Sequence, residues 1–193
     1  MKIAVDGFPG EVYIESLTPE PGLSRRENEE KAVGRLVEEI FGTGATRFHT
    51  PEGAPLIADC HGNEIAVAVT ISHSRHYAAI ATAPPGCRAG IDIEEQRDQI
   101  GRVAPRVLSA EELAHYSALP DGLLRAWTLK EALFKAARPV AGPQLEFATQ
   151  LQLPLENTDA RVIRADGTLL SIFNTHYHKP DSRTALSLVW QKS

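Results

Sequence analysis

The sequence predicts an α+β fold with antiparallel connections, and two observations support this prediction. Short alternating or β-branched runs, typical of strands, occur on both sides of amphipathic helical segments. Pro84-Pro85-Gly86 divides the chain near its middle, and a strand, helices and further strands follow it. At 193 residues the chain is long enough for one large domain or for two smaller halves that share a core.

The first half contains a predicted hairpin, a helix and a second hairpin. The S-x-x-E pattern of Ser24 and Glu27 predicts a capping box, and the helix is expected to end at the glycines 42 and 44. Polar residues 72–76 separate two β-branched runs and predict a hairpin tip. The predicted strands are 2–6, 11–15, 65–72 and 77–82.

The second half contains a predicted strand, two helices and a set of strands. The longer helix shows apolar residues at helical spacing, and the strands alternate or are rich in β-branched residues. The predicted strands are 89–94, 147–153, 160–164, 169–177 and 184–190, and the predicted helices are 110–116 and 123–137.

Composition and charge exclude several classes of protein. The chain has 20 basic and 25 acidic residues, and a net charge of −5 argues against a surface that coats nucleic acid. No apolar run approaches the length of a membrane span. Two cysteines, no secretory pattern at the N-terminus and no paired metal-ligand spacing predict a cytoplasmic protein without a structural zinc.

The segment Ala89–Glu95 is the first candidate for chemistry. In a strand, Asp92 and Glu94 lie on one face and the isoleucines between and before them on the other. Two neighbouring carboxylates repel each other unless a cation or a basic side chain is close. A solvated outer face of an antiparallel strand is the alternative interpretation.

The second candidate is the helix 123–137. Lys130 falls inside its apolar stripe, and Glu131 and Lys135 lie at the edge of that stripe. Lys130 is therefore either a surface amine with a buried stem or a phosphate ligand. Together with the two strand carboxylates, Glu131 and the lysines suit a pyrophosphate bound through magnesium.

The predicted hairpin tip adds a third candidate. Ser72 and His73 offer hydroxyl, backbone and imidazole groups to a further phosphate. Lys31 and Arg35 share one face of the first helix, and a solvated face is the favoured interpretation there. These residue types indicate metal-assisted phosphoryl chemistry without naming a substrate.

Two motifs in this order resemble a known family. Gly90-Ile91-Asp92-Ile93-Glu94 resembles G-[IV]-D-[IV]-E, and Trp127–Lys135 resembles W-x-x-K-E-[AS]-x-x-K, the paired signature of the 4′-phosphopantetheinyl transferases. Ile71–Ser74 and Arg106–Leu113 resemble two further segments of the surfactin-synthetase-activating type. The four segments together span residues 71–135, about a third of the chain.

The resemblance implies an activity and partners. Enzymes of this family transfer the phosphopantetheine arm of coenzyme A to a serine of an apo acyl or peptidyl carrier protein and release adenosine 3′,5′-bisphosphate. Such carriers serve fatty acid, polyketide or nonribosomal peptide synthesis. The expected cofactor is Mg²⁺, the expected substrate is coenzyme A, and neither a nucleic acid nor a membrane is an expected partner.

The resemblance also implies roles for single residues. Asp92, Glu94 and Glu131 match the magnesium ligands, and Glu131 or a metal-bound water would accept the serine proton. Lys130 and Lys135 match the lysines that contact the phosphates. The remaining implied positions are Ser72 and His73 at the 3′-phosphate, Arg35 as a possible coenzyme A contact, and Glu112 as a carboxylate near the metal.

The fold implied by the resemblance has two pseudo-symmetric α+β halves, each an antiparallel sheet packed with a long helix. We expect the halves to be residues 1–85 and 86–193, with the cofactor in a cleft between them and a monomeric protein. Gly53-Ala54-Pro55 stands where the family usually has G-K-P, and Gly34 stands where it often has an arginine. These departures affect the expected affinity for coenzyme A.

Two other functions fit the same residues. A non-catalytic module that binds coenzyme A or a carrier protein would keep the fold without the reaction. A magnesium-dependent pyrophosphate hydrolase would use the same carboxylates and lysines with water in place of serine. A basic rim near arginines 97, 102 and 106 is a candidate docking site for an acidic carrier, with a solvated loop as the alternative.

Overall fold

A computed structural model describes residues 1–156 and 158–192 of the chain. This part contains four α-helices and antiparallel sheets, so the predicted α+β class is confirmed. The chain divides into two compact units, the first spanning Met1–Cys87 and the second beginning at Arg88.

The first unit is a four-stranded antiparallel sheet with one long helix and a separate strand pair. Its sheet has the order β1-β2-β6-β5, and β3 pairs with β4. The elements are β1 (Lys2–Ile3), β2 (Glu11–Ser16), α1 (Arg25–Phe41), β3 (Thr46–His49), β4 (Pro55–Ala58), β5 (Ala68–His73) and β6 (Tyr77–Ala83).

Helix α1 closes the core of this unit. Its N-cap is Ser24, whose hydroxyl accepts from the Glu27 amide while the Glu27 carboxylate accepts from the Ser24 amide, as the capping-box pattern predicts. One face of α1 packs against β2, β5 and β6. Apolar residues of that face, among them Val33 and Leu36, are almost fully buried against Ile80.

In its described residues, 88–156 and 158–192, the second unit is a five-stranded antiparallel sheet with three helices. Its strand order is β7-β11-β10-β9-β8. The elements are β7 (Ala89–Glu95), α2 (Asp98–Val107), α3 (Ala110–Ser117), α4 (Gly122–Ala141), β8 (Leu151–Gln152), β9 (Ala160–Ile163), β10 (Leu169–His178) and β11 (Thr184–Gln191).

Helix α4 lies directly against the strands β7 and β11. At Gly90 a side chain would meet the backbone, because a Cβ atom there would lie 1.9 Å from the Ala132 carbonyl oxygen. Only glycine permits this approach, and it brings the backbone of β7 onto the middle of α4. On the next turn towards the N-terminus, the Thr128 hydroxyl is hydrogen-bonded to Ser187 of β11 at 2.7 Å.

Several elements differ from the sequence predictions. Helix α2 was not predicted, since Gly101 and Pro105 lower its intrinsic helix propensity. The pair β3–β4 brackets a segment that the sequence indicated only as a turn. Helix α4 continues beyond residue 137 because Pro139 lies in its last turn, where little helix remains to be disrupted.

Among the helices in the described part of the chain, none combines the length and apolar character that crossing a membrane requires.

Candidate active site

Asp92 of β7 and Lys135 of α4 form an ion pair where strand and helix meet. The Lys135 ammonium donates to Asp92 Oδ1 at 2.8 Å and to the Ile91 carbonyl oxygen at 2.9 Å. The residue Asp92 is 8% exposed, which excludes a solvated strand face as its setting. Alternation along β7 places the almost fully buried Ile91 and Ile93 on the other face of the sheet.

Glu94 follows Asp92 on the same face of β7. Its carboxylate accepts a hydrogen bond from the Glu95 amide at 2.9 Å and pairs with the Arg97 guanidinium. Burial is the main cause of a raised pKa at Glu94, and the nearby Asp92 carboxylate raises it further, while Arg97 lowers it. The site therefore holds negative charge that is only partly neutralised.

Glu131 of α4 is the most perturbed carboxyl of the site. Burial, followed by the negative charge of Asp92, raises its pKa from 4.5 to about 7, and Glu94 adds to this effect. Lys135 acts in the opposite direction. A pKa near neutrality is what a general base requires, because a usable fraction of the carboxyl is then ionised while it still accepts a proton readily.

The donor set has the chemistry of a site for a hard divalent cation. Three carboxylates, Asp92, Glu94 and Glu131, act on one another electrostatically, and a cation would relieve the repulsion that raises the pKa of Glu131. In residues 1–156 and 158–192, no three His, Cys, Asp or Glu side chains already converge as metal ligands. Asp92 and Glu94 are instead paired with Lys135 and Arg97.

Glu131 predicts a pH-dependent stability. In the metal-free protein its carboxyl binds a proton more tightly when folded, so its contribution is favourable below pH 4.5 and is lost as the pH rises to about 7. The loss is on the order of 3 kcal/mol. Urea unfolding with EDTA should show Glu131→Gln gaining stability over the wild type between pH 5 and pH 8. A difference that is independent of pH would contradict the assignment.

Lys130 points into the interior and not into this carboxylate site. Its side chain is fully buried, and its ammonium lies 3.1 Å from Glu112 Oε2 and donates to the Leu151 carbonyl oxygen. Glu112 also accepts from the amides of Leu153 at 2.7 Å and Ser109 at 2.9 Å. This geometry differs from a surface amine with a buried stem, because the ammonium itself is buried. A phosphate contact of Lys130 stays a prediction.

The network of Lys130 and Glu112 joins three parts of the second unit. Glu112 completes the capping box of α3 with Ser109, and Lys130 belongs to the middle of α4. Leu151, whose carbonyl oxygen accepts from Lys130, belongs to β8. Leu153, whose amide donates to Glu112, directly follows β8. Glu112 is therefore paired with Lys130, and its implied position near a metal stays a prediction.

The motif tryptophan belongs to an aromatic cluster. The rings of Trp127 and Phe134 lie 6.0 Å and 5.7 Å from the ring of Phe147, all three half-buried. Phe147 comes from the segment after α4, so the cluster packs this segment onto the helix.

In the first unit, His73 ends β5 and is exposed, whereas Ser72 beside it is buried. His73 Nδ1 lies 3.4 Å from Glu29 Oε2 of α1. Glu29 was not singled out from the sequence, because its helix position shows no sign of the strand that packs against it. The predicted roles of Ser72 and His73 towards a phosphate stay predictions.

Arg35 of α1 is paired with acidic residues of its own unit. Its Nε donates to Glu15 Oε1 at 2.8 Å, and its guanidinium also lies 3.8 Å from Glu20. These contacts suit the solvated helix face that the sequence favoured, and a coenzyme A contact of Arg35 stays a prediction.

The comparisons with known proteins bear on the second unit. The family model of the 4′-phosphopantetheinyl transferase superfamily matches residues 88–188, just over half of the 193-residue chain. The chain belongs to this superfamily. Curated proteins gave no significant match to the chain. The match covers β7, α4 and the first five residues of β11, and membership of the phosphopantetheinyl transferase superfamily indicates phosphopantetheinyl transfer as the general activity.

Sequence and structure agree unevenly on the candidate site. The structure groups Asp92, Glu94, Glu131 and Lys135 at the contact of β7 with α4. It separates Lys130 and Glu112 from them as a buried pair. The S-x-x-E pattern of Ser109 and Glu112 predicts a capping box, and it is the sequence feature that could have indicated this structural role of Glu112.

Proposed function

We propose that this protein transfers the 4′-phosphopantetheine arm of coenzyme A to a serine of an apo acyl or peptidyl carrier protein in a Mg²⁺-dependent reaction. The observation that supports this most is the set of mutually perturbed carboxylates, Asp92, Glu94 and Glu131, beside Lys135 at the contact of β7 with α4. Oxygen ligands beside a lysine suit a pyrophosphate held through magnesium.

Each residue has a proposed role in the reaction. Asp92, Glu94 and Glu131 would hold the cation, which when bound supplies Lewis-acid neutralisation of the pyrophosphate charge. Lys135, whose side chain is 31% exposed, can exchange part of its contact with Asp92 for a phosphate oxygen. We do not assign Lys130 to the phosphates, because its ammonium is enclosed by Glu112 and backbone carbonyls.

The chemical step balances with Glu131 as the base. The serine oxygen of the carrier attacks the phosphorus next to the pantetheine, and the bond from this phosphorus to the bridging oxygen breaks. Phosphopantetheine is then attached to serine, and adenosine 3′,5′-bisphosphate leaves with the bridging oxygen. The serine proton would pass to the Glu131 carboxylate, which lies beside Asp92 and Lys135 at the contact of β7 with α4.

The first unit is proposed to recognise the adenosine end of the substrate. Ser72 and His73 would contact the 3′-phosphate, and the protein would act as a monomer of the two-half, surfactin-synthetase-activating type. On the second unit, Arg102 and Arg106 are exposed on α2 and form a proposed docking face for an acidic carrier protein.

Intact-mass analysis of the carrier tests this proposal. The protein is incubated with coenzyme A, Mg²⁺ and an apo carrier protein, and we expect a mass gain of one phosphopantetheine per carrier. A carrier with alanine at the target serine and a reaction with EDTA are the controls, and neither should gain mass. Cleaved coenzyme A with an unmodified carrier would instead indicate a hydrolase, and no reaction with several carriers would indicate a binding module.

A further inference from the structure

A buried carboxylate on α1 supports the exposed histidine of the hairpin tip. Glu29 is 7% exposed, and its two oxygens have different partners. Arg25 Nε donates to Oε1 at 2.6 Å, one helical turn away, and His73 Nδ1 lies 3.4 Å from Oε2. A carboxylate removed from water needs such partners, so Glu29 is held between the arginine and the imidazole.

This contact decides which nitrogen of His73 is available. With Nδ1 directed at Glu29, Nε2 is the ring nitrogen left for a ligand, and in the imidazolium form both nitrogens are donors. The side chain of His73 is 40% exposed, so a ligand can reach the ring.

Glu29 itself cannot be the phosphate ligand. Its carboxylate accepts hydrogen bonds and would repel an anion, so any effect on phosphate binding must pass through His73. The capping box at the start of α1 consists of Ser24 and Glu27, so it does not include Glu29. Glu30, the next residue, faces away and pairs with Arg47.

We propose that Glu29 is a positioning residue that orients His73 for the 3′-phosphate and thereby sets the preference of the protein for coenzyme A over 3′-dephospho-coenzyme A. This inference rests on the proposed contact between His73 and the 3′-phosphate. Recognition of the 3′-phosphate would then involve Glu29 of α1 as well as His73 of β5. Glu29 would contribute to this specificity without touching the ligand.

Binding of two nucleotides tests the inference without any transfer reaction. Calorimetry with adenosine 3′,5′-bisphosphate and with adenosine 5′-monophosphate gives the affinity ratio that the 3′-phosphate contributes. We expect Glu29→Leu to lower this ratio about tenfold, as loss of one charge-assisted contact would. Glu29→Gln should lower it less, because the amide oxygen can still accept from Nδ1. Thermal unfolding verifies that both variants are folded.

Glu30→Gln is the matched control and should keep the wild-type ratio, since it removes an exposed carboxylate from the same helix turn. His73→Ala should lose the preference. If His73→Ala loses it while Glu29→Leu and Glu29→Gln keep it, the positioning role is overturned and the His73 contact stands. If the wild type shows no preference, the proposed 3′-phosphate contact is overturned together with the role of Glu29.

Discussion

Glu131→Gln is expected to lower the rate of phosphopantetheinyl transfer by about two to four orders of magnitude while the protein stays folded. The amide keeps the volume of the side chain but cannot accept the serine proton, and it is a poorer ligand for Mg²⁺. It also removes the charge that burial, Asp92 and Glu94 penalise. The variant should therefore be less active and, above pH 7, more stable than the wild type.

Single-turnover transfer to a carrier protein measures the first effect, and unfolding with and without Mg²⁺ measures the second. Mg²⁺ should stabilise the wild type more than Glu131→Gln, because the variant lacks one ligand. Glu111→Gln, which alters an exposed carboxylate of α3, is the control and should behave as the wild type. Transfer at the wild-type rate by folded Glu131→Gln would rule out Glu131 as base.

Lys130→Met is expected to destabilise the second unit by about 3–5 kcal/mol, because it leaves the Glu112 carboxylate buried without its cation. The methionine fills most of the space of the lysine stem but satisfies neither Glu112 nor the Leu151 carbonyl. Urea unfolding measures the loss. Lys135→Met is the comparison: the Lys135 side chain is partly exposed, so its removal should cost far less stability.

The double variant Lys130→Met/Glu112→Gln separates two roles of Lys130. Replacing the carboxylate removes the unpaired buried charge, and the glutamine oxygen can still accept from the Leu153 amide. We expect the double variant to recover most of the stability and of the transfer activity. A stable but inactive double variant would instead favour the direct phosphate contact that the family resemblance implies for Lys130.

The local patterns were sufficient to predict the elements that carry the site. Alternation in Ala89–Glu95 predicted that Asp92 and Glu94 share a face, and the motif helix predicted Glu131 and Lys135 on one edge. Both predictions depend on the period of a single element, which the sequence contains in full. The structure adds the contact of β7 with α4 at Gly90 and the ion pair of Asp92 with Lys135.

Other features depended on partners far away in the chain. A lysine in an apolar stripe has the same sequence pattern whether its ammonium reaches solvent or a buried carboxylate, so Lys130 could not be assigned without Glu112. Helix α2 has a weak intrinsic helix propensity. Strands β3 and β4 are short, and each is stabilised by pairing with the other. The proposed role of Glu29 depends on its contact with His73, which lies on another element.

The sequence by itself determined the α+β class, the family motifs and the carboxylates and lysine that can carry phosphoryl chemistry, because these follow from residue types at fixed spacing. Only the tertiary structure decided which charges are paired, which are buried and which remain for a ligand. The reason is that the pKa of Glu131 and the enclosure of Lys130 arise from desolvation and from neighbours on other elements, and neither is encoded in local periodicity.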